Sequence, residues 1–547
     1  MAGNLTAILP FEDLSFPGLA DVTHVKILAA LAAFPVVVII LNVLGQLLLP
    51  RDKAHPPVVF HWIPVLGSAI EYGMDPLQFF ERCREKYGNV FTFVLLGRRM
   101  TVALGPKGSN LILGGKLSEV SAEEAYTPLT TPVFGPGVVY DCPNHVLMEQ
   151  KKFVKFGLST DNFRAYVGMI EDEITSFLNN DPAFSAFQDK NSLEWGSFEA
   201  FKTCSEMTIL TASRTLQGPE IRAALNKSFA DIYHDLDNGF TPINWLMPNL
   251  PLPSYRRRDA AQKAMSDFYV NIIQKRRAEG RMDDSDMMAA LCGQTYKDGR
   301  AVTDREVAHM LTALLMAGQH TSSSSVSWTV MHLANSPAIV EALYQEQVKY
   351  FSNPDGTLRP MTYEEMKKLP VLDGIMRETL RLHSPIHTIM RAVVSDVVVP
   401  RSLAAPSEEG QYIIPKGHTA VASPAFTQVD RKIWKNHAEW DPYRWIDPSG
   451  EAAQALQEYL TGDKVDYGYG FVSKGTESVY QPFGAGRHRC IGEHFAYLQV
   501  GCILVTLVRN LEFQLDEIPG TDYSSLFACP KGQCSVKYRR RITSDSR

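Results

Sequence analysis

The chain has 547 residues, 45% hydrophobic and 10% aromatic, the profile of a globular protein with a large core. Its net charge of −6 argues against nucleic acid as a principal partner. Eight cysteines, at 83, 142, 204, 292, 490, 502, 529 and 534, are too sparse for a disulfide scaffold and read as reduced thiols.

Length alone allows about three or four domains. No linker, repeat or low-complexity stretch follows residue 60, so one large domain is expected. The first predicted element is apolar. Residues 27–49 carry no formal charge, and 23 residues at about 1.5 Å each cross a hydrocarbon core of roughly 30 Å. Glu12, Asp13 and Asp21 precede the stretch, unlike the basic start of a cleaved signal peptide, and a buried core helix would be shorter. A retained single-pass transmembrane helix is therefore expected, with 1–26 lumenal and 27–49 the anchor. Arg51 and Lys53 follow, which leaves the main domain in the cytosol by the positive-inside rule. Residues 50–68, containing PPVVFHWIPVLGS, read as a stiff proline-rich linker, and 69–547 as the main domain.

FTFVLLGRRMTVALG (91–105) alternates and turns like a strand hairpin. TDRE at 303–306 is a capping box that opens a helix running to Ser336, ahead of Pro337. That helix of about 32 residues would be near 48 Å long. Met310, Leu314, Ala317 and Thr321 share one of its faces. Within it, LLMAGQHTSSSS (314–325) sets a glycine, a histidine and four serines in mid-helix, where such residues are poor interiors. A further helix is expected over 362–383, and 391–480 is richer in proline, glycine and short β-like runs. The fold class is mainly α with a small β portion. The basic run Lys537, Arg539, Arg540 and Arg541 reads as a solvated end.

PFGAGRHRCIG (482–492) carries the chemistry. Cys490 follows a glycine-rich loop at the start of a helix, where the helix dipole and free N–H groups favour a thiolate. Gly486 suits the positive φ of a tight turn, and Gly492 lets a flat ligand approach the helix backbone. An inert core cysteine is the plain alternative. With no CxxC and no HExxH, a single thiolate suits an axial haem ligand better than zinc. Glu378 and Arg381 in ETLR alone would be a surface pair worth about 0.3 kcal/mol. Arg444, in EWDPYRW, offers a third member.

The order ExxR, PxRW, FxxGxHxCxG resembles the cytochrome P-450 superfamily of haem-thiolate monooxygenases, from about residue 60 to the end. The resemblance implies the cytochrome P-450 fold, with haem b ligated by Cys490 in a loop that includes Phe483, Gly486 and Gly492. It also implies a long central helix across the distal face of the haem. There AGQHT carries His320 where the superfamily has an acid, and so resembles the sterol 14α-demethylases, whose signature is GQHTS. YTPLTTPVFGPGVVYD (126–141) resembles that family's second signature after one extra threonine-containing step, and the insert at 459–475 resembles the fungal members.

By that resemblance Tyr126, Tyr140, Lys151, Arg391 and His488 hold the haem propionates. Cations and phenols are natural counter-groups for a buried dicarboxylate. Taken alone, Lys151 in EQKKFVKF reads as a solvated helix face. Thr321 would hydrogen-bond dioxygen. His320 would relay protons with Asp237 of YHDLDNGF, or with Asp235, although a purely structural histidine is the alternative. Phe134, Phe240, Met316, Ala317, Gly318, Leu380, His387 and Met390 are pocket candidates; several of these side chains read equally well as core.

The function so implied is sterol 14α-demethylation of lanosterol or eburicol in ergosterol biosynthesis, by three NADPH- and O2-dependent oxidations that release formate. GYGFVSKG does not match a dinucleotide fingerprint, so electrons are expected from a separate NADPH–cytochrome P-450 reductase docked near Lys152 and Lys155. Membrane lipid, an endoplasmic reticulum location and azole-type inhibitors follow from the same resemblance. A monooxygenase on another lipid and a non-catalytic sterol-binding haem protein are the competing readings.

Overall fold

The computed structural model describes residues 19–541 apart from 51, 191, 193, 226, 282–285, 404–411 and 461–474. Most of the insert expected at 459–475 thus lies outside the described residues. The first helix, α1 (Leu19–Leu48), contains Pro35. Among the described residues no helix is long and apolar enough to cross a membrane, and many side chains in the first half of α1 lie outside them.

The stretch read as a linker is docked onto a sheet. Val59 N–H donates to Thr92 O at 2.7 Å and Ser68 N–H to Val94 O at 2.8 Å, along the edge of β1 (Val90–Leu95). β1 and β2 (Arg98–Ala103) form the predicted hairpin. Its turn residues Leu96 and Gly97 both have positive φ, 50° and 82°, which matches the twist of the strands. The sheet is completed by β3 (Val120–Ser121), β4 (Ile389–Val393) and β5 (Thr419–Ala422), in the order β1-β2-β5-β4-β3. Only β2 and β5 run parallel.

Helices make the rest of the core. The ones that position the site are α2 (Ala122–Phe134), α3 (Asn144–Gly157), α4 (Ala200–Ala212), α5 (Lys227–Asp237), α6 (Asp304–Asn335), α7 (Pro370–Leu382) and α8 (Glu493–Asn510). The capping box is present: Thr303 Oγ1 accepts from Glu306 N–H, and a Glu306 carboxylate oxygen accepts from Thr303 N–H at 2.9 Å. α6 packs along α4, and the small serines allow that approach. Ser325 Oγ donates to Thr321 O at 2.8 Å and Ser327 Oγ to Ser323 O at 2.6 Å, so these hydroxyls are satisfied within the helix.

Two expectations change. The helix expected over 362–383 is a single turn, Tyr363–Met366, followed by α7, which starts at Pro370. Proline lacks an N–H and pushes Leu369 to an extended conformation, φ −96° and ψ 95°. The basic C-terminal run is no solvated end. Ser535–Arg540 is a strand paired antiparallel with Leu511–Gln514, and Val536 and Tyr538 alternate inward between the charged residues.

The ETLR pair lies in α7 and is fully buried. Glu378 accepts from Arg381 at 2.8 and 2.9 Å, from Arg444 Nε at 2.9 Å and from Trp445 Nε1 at 2.8 Å. The same helix steadies the cysteine loop through Gln428. That side chain donates to Leu380 O at 2.9 Å and accepts from Gln481 N–H at 2.8 Å.

Candidate active site

The loop before α8 is shaped by two local demands. Gly486 sits at φ 68°, and a Cβ there would lie 2.4 Å from Leu113 O, so the turn requires glycine. Cys490 N–H closes the loop onto Phe483 O at 3.0 Å. Phe483 packs on Tyr497 of α8 at 5.5 Å between ring centroids. Gly492 caps α8 with φ −83°, and its N–H points to the Cys490 sulfur. A Cβ on Gly492 would meet that sulfur at an ordinary 3.7 Å.

Cys490 keeps accessible surface although protein encloses it deeply, as a sulfur facing an internal chamber would. Burial pushes the thiol up; the Gly492 N–H and then Lys151 favour the thiolate. Lys151 comes from α3 and is half-buried. Its Nζ donates to Arg487 O at 3.1 Å and Arg489 O at 2.9 Å, clasping the loop from outside the cysteine. The solvated-face reading of Lys151 does not hold.

The 126–141 signature builds the next wall. Thr127 Oγ1 donates to Tyr140 O at 2.7 Å, while Asp141 accepts from Thr131 Oγ1 at 3.0 Å and Gly137 N–H at 2.8 Å. The loop is folded back on α2, and Tyr140 stacks on Tyr126 at 5.0 Å. Tyr140 also faces His488 at 6.1 Å. Tyr126 Oη accepts from Met390 N–H at 2.9 Å, which brings β4 and Arg391 alongside. Arg391 is 3% exposed, and its guanidinium donates to Met390 O at 2.7 Å. Among the described residues no carboxylate pairs with Arg391 or Lys151. His488 is driven down to about 2, by burial first and then by Arg391, Lys151 and Arg487. Glu123 lies 4.0 Å from His488 Nε2, but Arg391 and Lys151 have no carboxylate of their own among the described residues. Such cations beside a thiolate fit an incoming dicarboxylate, the donor set that haem requires.

Across from this wall, the centre of α6 is open. Ala317 is exposed on a helix otherwise mostly buried, and a Cβ on Gly318 would meet nothing within 4 Å. Thr321 Oγ1 donates to Ala317 O at 2.9 Å. His320 Nε2 lies 2.5 Å from Asp237 Oδ1 and 3.3 Å from Tyr233 Oη, both on α5. Asp235 faces Arg257 at 3.6 Å instead. A ring of contacts closes from here to the cysteine. Ser324 Oγ donates to Ala528 O and Ala528 N–H to Pro385 O, both at 2.8 Å, and β4 then leads to Tyr126, Tyr140 and His488.

Of the pocket candidates, Phe134 and Phe240 meet at 5.6 Å, and His387 lies between Tyr72 at 6.1 Å and Tyr523 at 5.6 Å. Burial lowers His387 to about 4, and among the described residues its Nδ1 has no hydrogen-bond partner. Met390 borders Tyr126. Met316, like Phe134 and Phe240, belongs to the main core, at 1% exposure, and Leu380 is buried on α7, where its carbonyl accepts from Gln428 Nε2 at 2.9 Å. Sequence reasoning missed Tyr233 and Phe527. Tyr233 lies one helical turn before Asp237 and could have been found by that spacing. Phe527, in a turn between Thr521–Asp522 and Cys529–Pro530, carries no such signal.

The family model described as Cytochrome P-450 matches residues 56–538. Lanosterol 14-alpha demethylase of Mycosarcoma maydis is 52% identical over 99% of this chain and 97% of its own length. Sterol 14-alpha demethylase of Aspergillus fumigatus is 48% identical over 95% and 98%, and lanosterol 14-alpha demethylase of Candida tropicalis 46% over 94% and 95%. A retinoic-acid-bound cyanobacterial cytochrome P-450 of solved structure superposes with a TM-score of 0.71 at 18% identity, covering 90% of this chain and all of that one, a likeness of fold alone. The chain belongs to the cytochrome P-450 family and, within it, to the sterol 14-alpha demethylases.

Proposed function

We propose that this haem-thiolate monooxygenase removes the 14α-methyl group of lanosterol or eburicol. Three successive oxygenations, each using O2 and two electrons from NADPH, convert the methyl to alcohol, aldehyde and formate and leave a double bond. One observation carries the reading: identity to proteins named for this demethylation extends over 94–99% of the chain.

Cys490 would ligate haem, Tyr126, Tyr140, Lys151, Arg391 and His488 would hold its propionates, and the bound group would supply the activation of dioxygen. The chain's own residues do the rest. Gly492 N–H and Lys151 stabilise the sulfur as thiolate. Ala317 and Gly318 leave room beside α6, and Phe134 and Phe240 keep water from it. Thr321 turns its hydroxyl from Ala317 O toward the chamber to hand over a proton. His320 resupplies that proton from Asp237, whose side chain is 32% exposed and can draw on solvent. Electrons enter from a separate reductase on the side of α3, where Lys152 and Lys155 are exposed. Azole-type inhibitors suit the same apolar walls.

The uncharged stretch 27–49 is proposed as a single-pass anchor in the endoplasmic reticulum. Leu31, Phe34 and Leu41 on α1 are exposed, as lipid-facing side chains would be. Truncation of residues 1–50 should ease extraction from membranes and leave haem and sterol binding intact. The deciding experiment for the function is reconstitution with reductase and NADPH on lanosterol and eburicol. Formate and a demethylated sterol are expected; turnover of neither sterol overturns the reading.

A further inference from the structure

We propose that Phe527 is a positioning residue for His320. Its ring holds the imidazole plane so that Nε2 stays aimed at Asp237, and it links that contact to the apolar wall where the sterol is proposed to lie. The proposal rests on the relay reading above.

An imidazole on a helix can swing about two side-chain bonds, and the contact at Nε2 fixes only its edge. The face is fixed by Phe527, which lies 4.9 Å away with 15° between the planes. Tyr233 supports the ring less closely, at 6.2 Å and 31°. A stacked aromatic partner biases ring orientation by roughly two- to tenfold.

Phe527 is itself registered to α6. Ser324, one turn beyond His320, donates to Ala528 O at 2.8 Å; Ala528 N–H donates to Pro385 O at 2.8 Å; Phe527 N–H donates to Ser525 Oγ at 3.1 Å. One of the four serines in mid-helix therefore holds the loop that carries the stacking ring. Phe527 also meets Phe240 edge-on at 6.1 Å, and Phe240 meets Phe134 at 5.6 Å. Phe134, Phe240, Phe527 and His320 thus form one aromatic series from the end of α2 to the proposed relay. A rigid apolar ligand pressed on Phe240 is felt at His320.

The test uses the full-length holoenzyme and two readouts. Exchange of the His320 C2 proton, followed by mass spectrometry without turnover, reports how firmly the ring is held. Formate released per NADPH consumed reports coupling. F527L should speed the exchange by about threefold and lower coupling, with haem content and sterol binding retained. F527Y should keep both near the parent. S324A, which frees the loop and leaves the ring intact, should shift exchange in the same direction by a smaller factor. Unchanged exchange in both F527L and S324A overturns the proposal. If H320A couples as the parent does, the relay reading fails on its own, and the exchange data still decide whether Phe527 holds the ring.

Discussion

Two clusters of buried charge in this protein are built in opposite ways. Around Glu378 every group is answered: its carboxylate takes two arginines, Trp445 Nε1 and the Asp441 N–H, and Arg381 spends its remaining donors on the carbonyls of Gln428, His437 and Glu439. Around Tyr126 and Tyr140, Arg391 and Lys151 have only backbone carbonyls among the described residues. Glu123 reaches no nearer than 4.0 Å to His488, and burial and those same cations hold His488 well below the usual histidine range. Leaving a charge buried and unpaired costs several kcal/mol. A closed cluster therefore belongs to the fold, whereas an open one waits for an anion brought by something else. The open cluster lies beside Cys490, where the propionates of the proposed haem would supply that anion.

Breaking the closed cluster should have the largest effect. E378A strands Arg381 and Arg444 and should cost about 3–5 kcal/mol. Little haem-loaded protein is then expected, read by yield and by thermal unfolding. Normal yield and stability in E378A would erase the distinction between the clusters.

At the chamber itself, C490H should retain cofactor but lose demethylation and the red-shifted Soret band of the ferrous CO complex that a thiolate produces. Survival of that band would assign the ligand to another cysteine. Next in size are the proposed relay residues on α6. H320A and T321A should bind haem and sterol but lose about tenfold or more in formate per NADPH. D237N should match H320A, and the double variant should be little worse than either, because the two act in one contact.

Opening the open cluster further should give effects of opposite sign. R391A removes an unanswered buried cation, so the haem-free protein should gain roughly 1 kcal/mol while haem dissociates about tenfold faster. Thermal unfolding of the apoprotein and haem transfer to an acceptor globin measure the two. A loss of apoprotein stability would show that Arg391 is already paired.

The smallest effect concerns neutral buried histidines outside both clusters. Burial lowers His332 to about 3 and His418 to about 4. The unfolded chain takes up these protons below about pH 6.5, and the folded chain refuses them. Their contribution is thus present above pH 6.5 and lost as pH falls from 6.5 toward 4. The slope is at most about 1.4 kcal/mol per pH unit for each histidine. H332Q should flatten the fall in thermal midpoint between pH 7 and 5; an unchanged slope would mean that His332 is protonated in the folded state.

What the sequence determined by itself was local. TDRE and Pro337 bound α6, and the glycine-rich turn before Cys490 places a thiolate at a helix start. Leu96 and Gly97 close a hairpin for the same reason: each conformation is decided within a few residues. Pro370 was equally local, and it splits the helix expected over 362–383. Family resemblance named the cations of the haem wall, but composition and spacing could not. Lys151 looked like a solvated face, and the ETLR pair looked like a surface pair, until tertiary packing buried both. The C-terminal basic run hid a strand because its inward residues, Val536 and Tyr538, count only once a partner strand exists. The choice between Asp237 and Asp235 is the clearest case. Two residues apart on a helix, they point to opposite sides, and the sequence of α5 alone does not say which side meets α6. Only the packing of distant elements sets that contact, as it sets Phe527 on His320, because a side chain's partner depends on where another part of the chain comes to lie.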